Sequence, residues 1–156
     1  MVMSDVALLA VEIAFSEAKR GILESSGQNR GLQLDEIQLA ANGALGQAWC
    51  AKFAWWCFEK ASQKMRIKNP FPKIFLSSAL ETWAARERKV VKEPGRGDVF
   101  VKLHKHTGIA TGSLQSGSFV PAVEGNTWVG AGETKSQEGV WVTSRTPFSA
   151  CTFIRL

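Results

Sequence analysis

The sequence predicts an α+β domain, with N-terminal helices packed on one face of a C-terminal antiparallel sheet of about five or six strands. Three observations predict it. Apolar residues recur at helical spacing through positions 1–93. From Asp98 onward, β-branched and aromatic residues fall instead in short runs separated by Gly, Ser, Asn and Pro. Between the two regimes lies a turn cluster, Pro94-Gly95-Arg96-Gly97. At 156 residues the chain fits one domain, 1–156, with its helices in residues 1–93 and its sheet in residues 94–156, long enough to bury a core without staples.

Each element follows from local pattern. Val6, Leu9, Ala10, Ile13 and Ala14 mark a first helix from Ser4 to about Glu24, with Ser4 or Asp5 as N-cap and Gly27 just past its end. A loop rich in turn formers, 25–31, leads to a second helix from about Leu34 to Ala41, stopped by Asn42-Gly43. The third helix, Cys50 to Gln63, carries Phe53, Trp56, Cys57 and Ala61 on one stripe with Ala54 and Phe58 beside it, which makes it the central buried helix. After the prolines of Asn69-Pro70-Phe71-Pro72, Ser78 and Glu81 have capping-box spacing ahead of a fourth helix through Trp83 to about Glu87. Strands are then predicted at Val99–Val101, Thr107–Ala110, Phe119–Val123, Val140–Val142 and Thr152–Ile154.

Composition narrows the class. Apolar residues are 45% and charged residues 21%, as in soluble globular proteins, and no apolar run is long enough to cross a bilayer. The opening segment has no basic n-region and carries Asp5, so it reads as no secretory signal; the expectation is synthesis in the cytoplasm and action after release or export. The net charge of +5 suits an anionic partner, but Lys and Arg are spread along the chain, and nucleic acid is not expected. No heptad run suggests an oligomer, so a monomer is predicted. Cys50 and Cys57 are two helical turns apart, about 10 Å and beyond disulfide reach. Cys57 and Cys151 are therefore read as buried packing residues, and the thiols as free.

Cys50 sits where a glycine-bearing loop, Gly46-Gln47-Ala48-Trp49, enters the aromatic-rich helix. Unpaired N–H groups and the positive end of the helix dipole favour thiolate there, although a cysteine beside aromatics is equally a small buried hydrophobe. The only histidines are His104 and His106. Zinc-type ligand spacing is absent, so no metal and no cofactor is predicted. His104 reads as a surface residue, whereas His106 heads a clean strand that would hold its ring. In Glu124-Gly125-Asn126 the two polar residues share a strand face, and Gly125 lets a neighbour approach. Either residue is a plain solvent-facing strand position, or else it accepts the Nδ1–H of an imidazole and leaves Nε2 facing a thiol.

Trp49-Cys50-Ala51-x-Phe53, Gly97-Asp98-Val99-Phe100-Val101, His106-x-Gly108-Ile109-Ala110 and Glu124-Gly125-Asn126 together resemble the cysteine, histidine-dependent amidohydrolase/peptidase family of papain-like cell-wall hydrolases. Upstream, Glu24-x-x-Gly27-x-Asn29-x-Gly31 resembles the loop preceding the catalytic helix in that family, so the resemblance spans Glu24 to Arg145. It implies a papain-like fold, with Cys50 as nucleophile, His106 as general base, Glu124 orienting the histidine and Asn126 as the polar partner beside it. The oxyanion would be held by the Cys50 N–H and the Gln47 side chain. Asn29, Trp49, Trp56 and Trp128 are the candidate substrate contacts, while Trp55, Trp83 and Trp141 read as core. The chain departs from the family in having no tyrosine, and it lacks the alternating aspartates of calcium-binding members, with only Asp35-Glu36 in that region, so calcium dependence is not expected.

The expected activity is hydrolysis of peptidoglycan, by an N-acetylmuramoyl-L-alanine amidase or an endopeptidase, through a thioester. The alternatives are a papain-like acyltransferase or amidase on a non-wall substrate, and an inactive wall-binding module. The resemblance also suggests a setting, either a lysin released through a holin pore or an exported effector paired with an immunity protein.

Overall fold

Helix α3 (Cys50–Met65) is apolar around most of its circumference: Phe53, Ala54, Trp55, Trp56, Cys57, Phe58 and Ala61 are all buried. Such a helix has to be enclosed rather than laid on a surface. In the computed structural model, which describes residues 4–25, 28–114, 118–127 and 138–156, the enclosure has two sides. Helices α1 (Asp5–Arg20) and α2 (Leu32–Ala41) pack against α3, and so do strands β3 (His106–Ala110) and β4 (Phe119–Thr127). Helix α4 (Ser77–Arg86) lies on β2 (Val99–Lys102) and β6 (Cys151–Ile154).

The remaining strands are β1 (Val90–Val91), which no sequence pattern predicts, and β5 (Gly139–Pro147). Six antiparallel strands run in the order β1-β6-β2-β3-β4-β5, so the C-terminal strand is inserted between β1 and β2. Strand alternation splits the sheet into two apolar faces. Val99, Val101, Ile109, Val123, Val140 and Ile154 join the helices in the main core, while Phe100, Ala110, Val120, Ala122 and Phe153 form a smaller cluster on the other side. Phe148 stacks on Phe153 to cover it, at 5.4 Å between ring centroids. The fold is therefore α+β, with four helices in sequence before an antiparallel sheet.

Several element ends differ from expectation, each for a local reason. The first helix stops at Arg20 rather than near Glu24, because Gly21 takes the left-handed conformation (φ 69°) and caps it. The chain then turns extended: Leu23 bridges Gly139, Val140 donates to the Ile22 carbonyl at 3.0 Å, and Glu24 donates to Glu138 at 2.9 Å. Gly27, expected just past the helix end, lies outside the described residues. Helix α2 starts two residues early at Leu32, and α3 runs two residues long to a left-handed Arg66. The Ser78/Glu81 capping box does not form. Ser78 is already inside α4, and Glu81 reaches across to the Thr152 hydroxyl and the His104 ring instead. Ser4 occupies the N-cap position without capping; its hydroxyl donates to the Leu156 carbonyl at 3.2 Å.

The turn between the two halves is held by charge. Asp98, fully buried, accepts two bonds from the Arg155 guanidinium, at 2.8 and 2.6 Å, and one from the Gly95 N–H at 2.7 Å. That fixes both the turn and the chain end on β2. Cys57 is buried as expected, but Cys151 is half-exposed, because it opens β6 at the strand end and its thiol reaches the Pro147 carbonyl at 3.3 Å. No described helix is long and apolar enough to cross a membrane.

Where α3 meets β4, contact is made at Gly125: a Cβ there would stand 2.7 Å from both the Phe53 Cβ and the Trp49 ring. Gly125→Ala should therefore force the helix off the sheet and cost about 1–3 kcal/mol, read as a lower urea midpoint at unchanged m-value. An unchanged midpoint would mean that the helix yields freely at this contact.

Candidate active site

Cys50 is the first residue of α3, with Trp49 at the N-cap position, so its N–H is one of the helix donors without an intrahelical acceptor. The segment before it is braced from both sides. Buried Glu24 accepts the Trp49 indole N–H at 3.1 Å and the Asn29 backbone N–H at 3.2 Å. Buried Gln38 donates to the Asn29 carbonyl at 2.7 Å and accepts from the Gln47 N–H at 3.2 Å. Lys52, 1% exposed, spends its ammonium on the Ala44 carbonyl at 2.8 Å and the Gln47 side-chain oxygen at 3.0 Å. Burial without a carboxylate partner lowers its pKa.

His106 opens β3 immediately after a hairpin turn in which Leu103 and His104 both adopt left-handed backbone (φ 50° and 58°). The turn takes His104 out of the strand, so the two rings do not share a face; His104 is exposed and bonded to Glu81. The His106 ring is mostly covered and donates from Nε2 to Glu124 Oε1 at 3.0 Å. Glu124 is 1% exposed, and its other oxygen accepts the Thr143 hydroxyl. Its position follows from strand register. Ile109 pairs with Val123 and Ala110 with Ala122, and continuing this register sets Glu124 across from Gly108, diagonal to His106. A side chain at 108 would collide with the Glu124 Cγ at 2.9 Å and the Phe100 ring at 2.4 Å. Glycine two residues after the histidine is thus what gives the carboxylate its place.

Electrostatics follow from this geometry. Burial alone would push the Cys50 thiol up, but the hydrogen bond and charge of His106, the Thr107 backbone and the Ser77 hydroxyl outweigh it, and the pKa lies below the ordinary thiol value. Burial would likewise push His106 down, yet its bonds and charge interactions with Cys50 and Glu124 raise it to about 9. For Glu124 burial is again opposed, by His106, Thr143 and the more distant Lys102, and its carboxyl stays below the usual range. All three shifts run in one direction, toward thiolate, imidazolium and carboxylate.

Some expected positions change. Glu124 binds Nε2, not Nδ1, so Nδ1 is the nitrogen left for the sulfur, and the carboxylate comes from diagonally across the strand pair. Asn126 does not share a strand face with Glu124, because it is left-handed (φ 56°) at a register shift between β4 and β5, and its side chain forms no hydrogen bond among the described residues. The Gln47 carboxamide oxygen is held by Lys52, and among the described residues it has no hydrogen bond to Cys50. Asn29 contributes through its backbone, as a left-handed residue of the braced loop. Trp49 is fully buried under Glu24, whereas Trp56 lines a groove between α1 and α3 with Leu9 and Ile13, and that groove includes neither Cys50 nor His106. Trp128 lies outside the described residues. Among the described residues no cluster of His, Cys, Asp and Glu suits a metal ion. Sequence reasoning does not single out Thr143, Ser77, Lys52 or Gln38. Thr143 carries a faint signal as a polar residue amid a β-branched run, whereas the others look like ordinary surface positions of their helices.

Two measurements test this arrangement. At about pH 6.5, where roughly one per cent of an unperturbed thiol is ionised, iodoacetamide should label Cys50 ahead of Cys57 and of Cys151, whose pKa burial pushes up to about 11. Equal labelling of Cys50 and Cys151 would contradict an activated thiol. Glu124→Gln keeps an acceptor but removes the charge that favours imidazolium. The His106 pKa should then fall from about 9, moving the upper edge of the ion-pair window to lower pH in an NMR titration of the ring; a constant value would show that Glu124 does not hold it.

Compared with known proteins, the chain matches no family model, no curated protein and no solved structure.

Proposed function

We propose that the chain is a cysteine amidohydrolase whose substrate is peptidoglycan, cut either between muramic acid and the stem peptide or within a peptide. The observation that carries the thiol chemistry is that His106, bound to Glu124 at 3.0 Å, also acts by hydrogen bond and charge on the Cys50 thiol at the N-terminus of α3. The choice of substrate rests on the resemblance of the four motifs around these residues to the papain-like wall hydrolases.

The chemistry follows from the groups present. The Cys50 thiolate attacks an amide carbonyl carbon, and the carbonyl electron pair moves to oxygen, beside the Cys50 N–H and the helix dipole. His106 gives its Nδ1 proton to the leaving nitrogen as the C–N bond breaks, which leaves a thioester on Cys50 and a neutral ring. Water then attacks the thioester, and Nδ1 takes its proton. The C–S bond breaks, a carboxylic acid departs, and the thiolate–imidazolium pair returns. Glu124 stays ionised throughout and holds the ring by Nε2–H, so the same nitrogen faces the reaction in both halves.

Digestion of purified peptidoglycan, with fragments identified by mass, tests the proposal. Wild type should release fragments and Cys50→Ala none. Stem peptides with a freed alanine amino terminus mean an amidase, and new amino termini elsewhere mean an endopeptidase. His106→Ala should lower turnover by about 10²–10⁴-fold, while His104→Ala should stay within about twofold, since an exposed ion pair contributes little. Equal loss from both histidines would break the assignment of roles. Failure on every wall type, with Cys50 still acylated by an activated ester, would replace the wall substrate with the acyltransferase reading.

A further inference from the structure

We propose that Ser77 and Thr107 form a hydroxyl relay that positions a hydrogen bond on the Cys50 sulfur and so sets the balance between its thiol and thiolate forms. This rests on the reading of Cys50 as nucleophile, and it adds two positioning residues that none of the motifs above assigns to the site.

Ser77 is the first residue of α4, on a different element from either Cys50 or His106. It is 3% exposed and Thr107 is fully buried, so neither hydroxyl has water as a ready partner. The Ser77 oxygen stands 4.0 Å from the Cys50 sulfur and 2.7 Å from the Thr107 hydroxyl oxygen. Each hydroxyl has one proton to donate. If Ser77 donates to Thr107, the Thr107 proton has no acceptor among the described residues, and the sulfur faces only lone pairs. If Thr107 donates to Ser77, the Ser77 proton is free for the sulfur, and both protons are used. Burial makes an unspent donor costly, so the second direction is favoured, most strongly when the sulfur is negative.

The relay acts on the resting state more than on the intermediate. A thiolate is a strong acceptor, whereas a thioester sulfur is a weak one. The contact therefore enlarges the thiolate fraction at low pH and slightly blunts the nucleophile, because intrinsic reactivity falls with thiol pKa. Together with the Thr107 backbone contact, it gives one residue of β3 two routes to the sulfur, and gives α4 a link to a site otherwise built from α3 and the sheet.

The test is the pH profile of Cys50 alkylation by iodoacetamide in the full chain, compared across wild type, His106→Ala, Ser77→Ala, Thr107→Val and Thr107→Ser. Ser77→Ala should move the profile up by about one pH unit, with a high-pH plateau rate equal to or above wild type. A merely structural loss would lower the plateau without moving the midpoint. Thr107→Val, nearly isosteric, should shift it in the same direction, and Thr107→Ser should restore it. Midpoints for Ser77→Ala and Thr107→Val that both match wild type would overturn the relay. A wild-type profile that titrates as an ordinary thiol and ignores His106→Ala would instead overturn the reading of Cys50 beneath it.

Discussion

The distance between the first turn of α3 and the strands beneath it is the constraint on which the rest depends. One absent side chain sets it: Gly125 lets Trp49 and Phe53 press onto β4. On the other face of the sheet, Gly108 clears the space that the Phe100 ring and the Glu124 side chain occupy. A helix on a sheet ordinarily stands off by the thickness of the side chains between them. Removing a Cβ at the contact brings the helix N-terminus down to strand level, and the sulfur at its tip then lies beside a strand-borne imidazole.

Once those groups are close, burial and charge work against each other in a definite way. Each of Cys50, His106 and Glu124 is penalised by desolvation in its charged form, and each is restored by its neighbours. The charges are thus mutually dependent: removing any one leaves another buried without its counter-charge. Alternation of sign, negative, positive and negative, favours the ionised form of each in a place from which water is largely excluded.

Much of the remaining polar structure holds the approach to α3 in place. Glu24, Gln38 and Lys52 are buried polar residues that spend their hydrogen-bonding groups on loop backbone and on Trp49 and Gln47. Glu24 is itself fixed because the chain after α1 runs extended along the outer edge of β5. The other half of the sheet is secured in another way, with Arg155 bound to Asp98 between β6 and β2 and its backbone N–H donating to the Lys89 carbonyl beside the edge strand β1. The site therefore sits between two anchored margins, and its own residues need supply little of the restraint.

The sequence by itself determined the order of helices and strands, the buried character of α3, and the placing of Cys50 at a helix start and His106 at a strand start. These are local matters: periodicity, turn residues and the end of a helix are written within a few positions of one another. What depends on residues distant in the chain was misleading. Glu81 looks like half of a capping box because its spacing from Ser78 is right, but in three dimensions Thr152 and His104 compete for its oxygens. Trp49 and Trp56 look like walls of the groove at Cys50, yet one is bound by Glu24 and the other lines a separate groove along α1. Only the tertiary structure decided which imidazole nitrogen meets the carboxylate, since that depends on the diagonal offset between β3 and β4. It alone brought Ser77 to the sulfur, since no pattern within α4 records that the helix begins against β3.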